Sequence, residues 1–113
     1  MPKDDSLYLG HMLDTSRKIM GKTQGLDRAG FDSDENLRIA LTHLIQMIGE
    51  AARRVSPELR QANPQIPWRD VIGMRHKVVH DYMDIDEDVV WSTATKEVPV
   101  LASMLEQLPP DEH

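Results

Sequence analysis

The 113-residue chain contains no cysteine, which excludes disulfide frameworks and thiolate zinc sites and suits a reducing compartment. It has no apolar run approaching the roughly 20 residues of a membrane-spanning helix. Its opening residues, MPKDDSLYLG, lack the pattern of a signal peptide. A cytoplasmic protein with no membrane partner is the expectation. Internal repeats and low-complexity segments are missing, and no stretch alternates strongly enough to compete as a strand. Overall positive charge is missing too. The net charge of −6 argues against a general nucleic-acid binder. At this length a single domain spanning residues 1–113 is expected, with 1–5 and 109–113 frayed. Such a chain buries about two-thirds of its unfolded surface, enough for a core without metals.

The charge is unevenly distributed. Residues 38–77 hold seven bases (Arg38, Arg53, Arg54, Arg60, Arg69, Arg75, Lys77) against three acids (Glu50, Glu58, Asp70), a balance of +4, so the remainder carries −10. A positive middle between acidic ends permits a local phosphate-binding surface, although solvated helix faces would produce the same statistics.

What the chain does have is helical periodicity. Over residues 4–21, Leu9, Met12, Leu13, Ser16, Ile19 and Met20 recur at three- and four-residue steps, as an amphipathic helix requires. KTQGLDRAG, with two glycines, reads as a loop. Ser33 or Asp32 then caps a long helix with Asp34 and Glu35 in its first turn, where the helix dipole favours acids. Its Leu37, Leu41, Leu44, Ile48, Ala51 and Val55 form a seam suited to another helix. Ser56 and Pro57 open a short helix, PELRQANP. A further helix is expected from near Pro67 to Tyr82. The last, capped by Asp84 or Asp86, carries Val90, Ala94, Val98, Leu101, Leu105 and Leu108, with Pro99 expected to kink it. An all-α bundle of four main helices and one short one follows. Trp68 and Trp91 read as core anchors, the seven Met as packing, and His11 and His43 as surface or helix-edge residues.

The octet RHKVVHDY, Arg75 to Tyr82, breaks the amphipathic pattern. On a continuous helix, Arg75 falls among Trp68, Val71, Ile72, Val78 and Val79, and Tyr82 returns to nearly the same bearing. An arginine in an apolar stripe needs a partner charge, a second subunit or a ligand phosphate. Histidine exchanges protons near neutrality and arginine matches phosphate oxygens. Arg75 and His80 therefore suit RNA cleavage by its own 2′-hydroxyl, which needs a base, a cation and an acid but no metal. One histidine is thin for both proton transfers, and a two-fold dimer would supply a second. Two blander readings stay open: a structural histidine at a helix edge, and an arginine that snorkels to solvent. His76 and His80, four apart, could also hold a metal, but no third ligand is placed and Arg75 would repel a cation.

The octet resembles the R-x4-H-x-Y signature of the HEPN superfamily, in the form carried by HepT-type toxins of toxin–antitoxin pairs. The likeness is extended. IGEAARRVSPELRQANPQIPWRDVIGMRHKVVHDY, residues 48–82, is similar to the family's central block, and VVW at 89–91 resembles its last helix. The resemblance implies an all-α homodimer with the two motif helices facing each other, and a cofactor-free, metal-independent endoribonuclease site in the dimer cleft. Arg75 would be the phosphate-binding cation and His80 the acid–base group, with His76 and Lys77 as supporting motif positions. Tyr82 matches the tyrosine that a minimal nucleotidyltransferase antitoxin of the MNT type adenylylates to silence the toxin. Because the superfamily also has binding-only members, the alternative is a non-catalytic helical partner that positions substrate or nucleotide for that transferase.

Overall fold

The computed structural model describes residues 3–81 and 84–108, with Lys3, His80 and Asp81 described through the backbone. Helix α1 (Lys3–Thr23) buries Leu9, Met12, Leu13 and Ile19 along one stripe. Ser16 joins that stripe because its hydroxyl donates to the Met12 carbonyl at 2.7 Å, so no buried polar group is left unpaired. Asp5 is 2% exposed. Its carboxylate accepts the Ser56 backbone N–H at 2.8 Å and the Ser56 hydroxyl at 2.6 Å. The expected fraying of residues 1–5 therefore does not reach Asp5, while the expectations for residues 1–2 and 109–113 lie outside the described residues.

The expected loop after α1 holds a further short helix, α2 (Arg28–Asp32), capped by Asp27. Gly25, at φ +73°, supplies the left-handed turn between them. Phe31 of α2 is fully buried, 5.2 Å from the Trp91 ring. Five residues are too few to show a helical period, which hid α2 in the sequence. It also moves the cap of α3 (Glu35–Arg54). Ser33 closes α2, and Asp34 accepts the Leu37 N–H at 3.0 Å, so Asp34 is the cap rather than Ser33 or Asp32.

Helix α3 is the central element. Its buried arc, Leu41, Ile45, Ile48, Ala51, Ala52 and Val55, is wider than the expected seam, and Leu37 and Leu44 are half-buried. Ser56 caps α4 (Pro57–Ala62) as expected. Trp68, a core anchor, opens α5 (Trp68–Lys77) and donates its indole N–H to the Asn63 carbonyl at 2.9 Å.

Helix α5 stops five residues short of the expected Tyr82. Val79–Asp81 form β1, paired antiparallel with β2 (Asp84–Ile85) in a two-stranded hairpin that the sequence did not suggest. Val78 is fully buried, and its carbonyl accepts the Asp86 N–H at 2.8 Å. Val78 keeps a helical backbone at φ −89° and ψ −16° as the C-cap of α5, and the chain becomes extended at the β-branched Val79. The last helical run begins with α6 (Glu87–Ser92), capped by Asp86. It passes through a π turn at Thr93–Glu97 into α7 (Val98–Glu106). Pro99 has no N–H to give and crowds the carbonyl four residues back; the widened turn just before it absorbs that irregularity. The four main helices are thus α1, α3, α5 and the α6–α7 run, with α4 and α2 as short ones. An all-α bundle is the fold. Among the described residues no helix is long and apolar enough to cross a membrane.

Candidate functional site

The site begins with a glycine. Gly49 of α3 is buried against the backbone of α5, where an added Cβ would stand 2.8 Å from the Arg75 nitrogen and 3.1 Å from the Ile72 carbonyl oxygen. Only a residue without a side chain lets the two helices approach so closely. This contact fixes where the last turn of α5 lies relative to α3. Gln46, one turn earlier on α3, donates to the Arg75 carbonyl at 3.5 Å, one of the final-turn carbonyls that a helix cannot satisfy internally.

One residue after Gly49, Glu50 gathers three arginines. Its Oε1 accepts from Arg53 at 2.8 Å and Arg54 at 3.3 Å, and its Oε2 lies 3.2 Å from Arg75 Nη1. The hydrogen bond from Arg53 and then that from Arg54, with the charge of Arg75 adding to them, pull the Glu50 carboxyl down to about 2, against partial desolvation. Glu50 is therefore ionised at neutral pH, and the cluster of three arginines and one carboxylate carries a surplus of two positive charges. Arg54 also lies over the Tyr8 ring, 5.9 Å from its centroid.

Arg75 is not buried in an apolar stripe. The buried face of α5 is Trp68, Val71 and Met74, continued by Val78, and Arg75 sits beside it with 47% of its side chain exposed. Its partner charge comes from α3 of the same chain. With one nitrogen on Glu50, the guanidinium has further N–H donors toward solvent, where a phosphate could take two of them.

The other motif positions divide. His76 is exposed on the outer side of α5. Lys77 points to the opposite side from Arg75, its ammonium 2.9 and 2.8 Å from the two carboxylate oxygens of Glu97, which also accepts the Thr93 hydroxyl at 3.0 Å. Lys77 therefore braces α5 against the last helical run and does not join the Arg75 cluster. The backbone of His80 belongs to β1, so His76 and His80 are not one turn apart on a helix, and the helical spacing behind a metal pair is gone. Tyr82 lies outside the described residues, and so does the expectation of its bearing.

Sequence reasoning missed Glu50, Gly49 and Gln46. The spacing of Glu50 to Arg53 and Arg54 was visible as a helical ion-pair pattern. Nothing local announced that Arg75, twenty-five positions later, would share the same carboxylate.

The family model described as ribonuclease HepT-like matches residues 12–108. A protein of Methanocaldococcus jannaschii named as an RNase is 30% identical over 109 residues, covering 96% of this chain and 94% of that one. A protein of Caldanaerobacter subterraneus, also named as an RNase, is 29% identical over 101 residues, 89% of this chain and 90% of its own. One from Thermococcus cleftensis, carrying the name ribonuclease HepT, is 28% identical over 108 residues, 96% and 98% of the two chains. No solved structure gives a significant match. With the match running from the middle of α1 to the end of the last helical run, the chain belongs to the HepT-like ribonuclease family.

Proposed function

We propose that this chain is the ribonuclease toxin of a toxin–antitoxin pair, cutting RNA by attack of its own 2′-hydroxyl. The observation that carries this reading is Arg75: a half-exposed guanidinium, anchored by Glu50 and Gly49, in a cluster with a surplus of positive charge, five residues before a histidine. In the proposed reaction, one His80 imidazole takes the 2′ proton and the 2′ oxygen attacks phosphorus. The bond from phosphorus to the 5′ oxygen breaks, and a second His80, protonated, gives that oxygen its proton. Arg75 steadies the charge on the crowded phosphate. The products are a 2′,3′-cyclic phosphate and a free 5′-hydroxyl, and no metal takes part.

Two histidines require two chains, so the active species is a two-fold dimer. Apolar exposure on α3 supports such an assembly: Ile39, on the same helix as Glu50, is 52% exposed. Membership of the family supports the pairing with a nucleotidyltransferase antitoxin, which adds AMP to Tyr82. The added phosphate would compete with RNA for Arg75.

The test is incubation of purified protein with total RNA, mapping of cleavage ends, and light scattering of the same sample. Discrete cleavage by a dimer is expected. Intact RNA, or a monomer at micromolar concentration that cleaves, would contradict the composite site.

A further inference from the structure

Beside the arginine cluster, between α1 and α3, lies an open groove of about 420 Å³, lined by Tyr8, His11, Lys18, Met47, Glu50 and Arg54. That volume falls within the range of small-ligand sites, roughly 300–1,000 Å³. Glu50 belongs to both places. It lines the groove, and it holds Arg75. Whatever occupies the groove therefore lies next to whatever occupies the Arg75 site.

Three features set its chemistry. Tyr8 and His11 meet edge to face with their ring centroids 6.3 Å apart. The Arg54 guanidinium covers the Tyr8 ring at 5.9 Å. Stacked rings and guanidinium planes are the surfaces on which unpaired nucleobases rest. The α1 wall carries Asp14 and Lys18 and the α3 wall Glu50 and Arg54, a local balance of zero. Arg53 and Arg75, both on Glu50, turn that balance positive toward the α5 end.

We propose that this groove is a nucleotide subsite for single-stranded RNA. It would stack a base flanking the scissile phosphate on the Tyr8–Arg54 platform and meet the adjoining backbone with Lys18. The proposal deepens the ribonuclease reading and rests on it for the location of the scissile phosphate. Tyr8 and Lys18 are positioning residues here and do not touch the reacting atoms.

The experiment uses the full chain and two probes. A fluorescent 2′-O-methyl oligoribonucleotide cannot be cut by 2′-hydroxyl attack and reports binding by anisotropy; the matching unmodified RNA reports cleavage. Tyr8→Leu should weaken binding on the order of tenfold and raise KM with little change in kcat. Tyr8→Phe, which keeps the ring, should bind as the parent does. Lys18→Ala, at an exposed position, should reduce the slope of log affinity against log salt by about 0.7, one phosphate contact on a single strand. A parent that binds the 2′-O-methyl probe with these variant effects but cuts nothing would overturn the ribonuclease reading and leave the groove standing. Cleavage by the parent with Tyr8→Leu and Lys18→Ala both unchanged would overturn the groove alone. A parent that neither binds nor cuts would overturn both.

Discussion

Arg75 and Gly49 are in backbone contact: the space a Cβ would need at position 49 ends 2.8 Å from the Arg75 nitrogen. The neighbour there is main chain, which cannot swing aside as a side chain does. Gly49→Ala should therefore push α5 from α3 and destabilise the protein by roughly 1–3 kcal/mol, the usual cost of overpacking. It should also lower RNA cleavage, because Arg75 and Glu50 move apart. Urea denaturation and a cleavage assay on the same preparation check this. A variant as stable and as active as the parent would show that the two helices need no such approach.

Glu50 gives the site a pH signature. Its folded pKa, about 2, lies below the ordinary 4.5 because Arg53, Arg54 and Arg75 favour the carboxylate. A depressed folded pKa means that the stabilisation is present above the unfolded value and fades as pH falls through the folded one. The difference in melting temperature between parent and Glu50→Gln should thus hold steady above about pH 4.5 and shrink toward pH 2. A difference unchanged across that window would mean that the carboxylate charge contributes nothing to folding.

Two neighbouring cations should behave differently. Arg75→Lys keeps the charge but loses the fork that binds Glu50 and phosphate together, so cleavage should fall on the order of tenfold or more, the loss expected when one bond to a charged group goes. Lys77→Met removes only a half-exposed ion pair with Glu97. Its cost should stay below about 1 kcal/mol, with cleavage near that of the parent. Equal losses in the two variants would place Lys77 at the site.

The bundle was legible because its long helices carry many periods. Leu9, Met12, Leu13 and Ile19 in α1, Leu41, Ile48, Ala51 and Val55 in α3, and Val90, Ala94, Val98, Leu101, Leu105 and Leu108 in the last run are buried where their spacing puts them. Short elements were not legible. α2 has five residues, and the pairing of Val79–Asp81 with Asp84–Ile85 interrupts a segment whose valines also fit a helix. At the site, the chemistry of Arg75 was readable from its residue type. Its surroundings were not: the expected stripe runs through Ile72 and Val79, which are only partly buried, whereas the buried face of α5 runs through Met74, one position away from Arg75. Glu50 and Gly49 act on Arg75 through tertiary contact, which no local pattern encodes.

The proposed control by an antitoxin has its own test. Co-expression with a cognate MNT-type nucleotidyltransferase should add the mass of AMP to the peptide containing Tyr82 and suppress cleavage. Tyr82→Phe should stay toxic and escape the modification. Modification at another residue, or silencing of Tyr82→Phe as complete as that of the parent, would point to inhibition by complex formation alone.

The central claim, 2′-hydroxyl attack assisted by His80 and Arg75, is tested most directly by analysing the cleaved ends of RNA treated in the presence of EDTA. The mechanism predicts 2′,3′-cyclic phosphate on every 5′ fragment, undiminished by EDTA, with His80→Ala slower by roughly a hundredfold or more, as for loss of a general acid–base group. Products bearing a 5′-phosphate and a free 3′-hydroxyl, or activity abolished by EDTA and restored by a divalent ion, would contradict it.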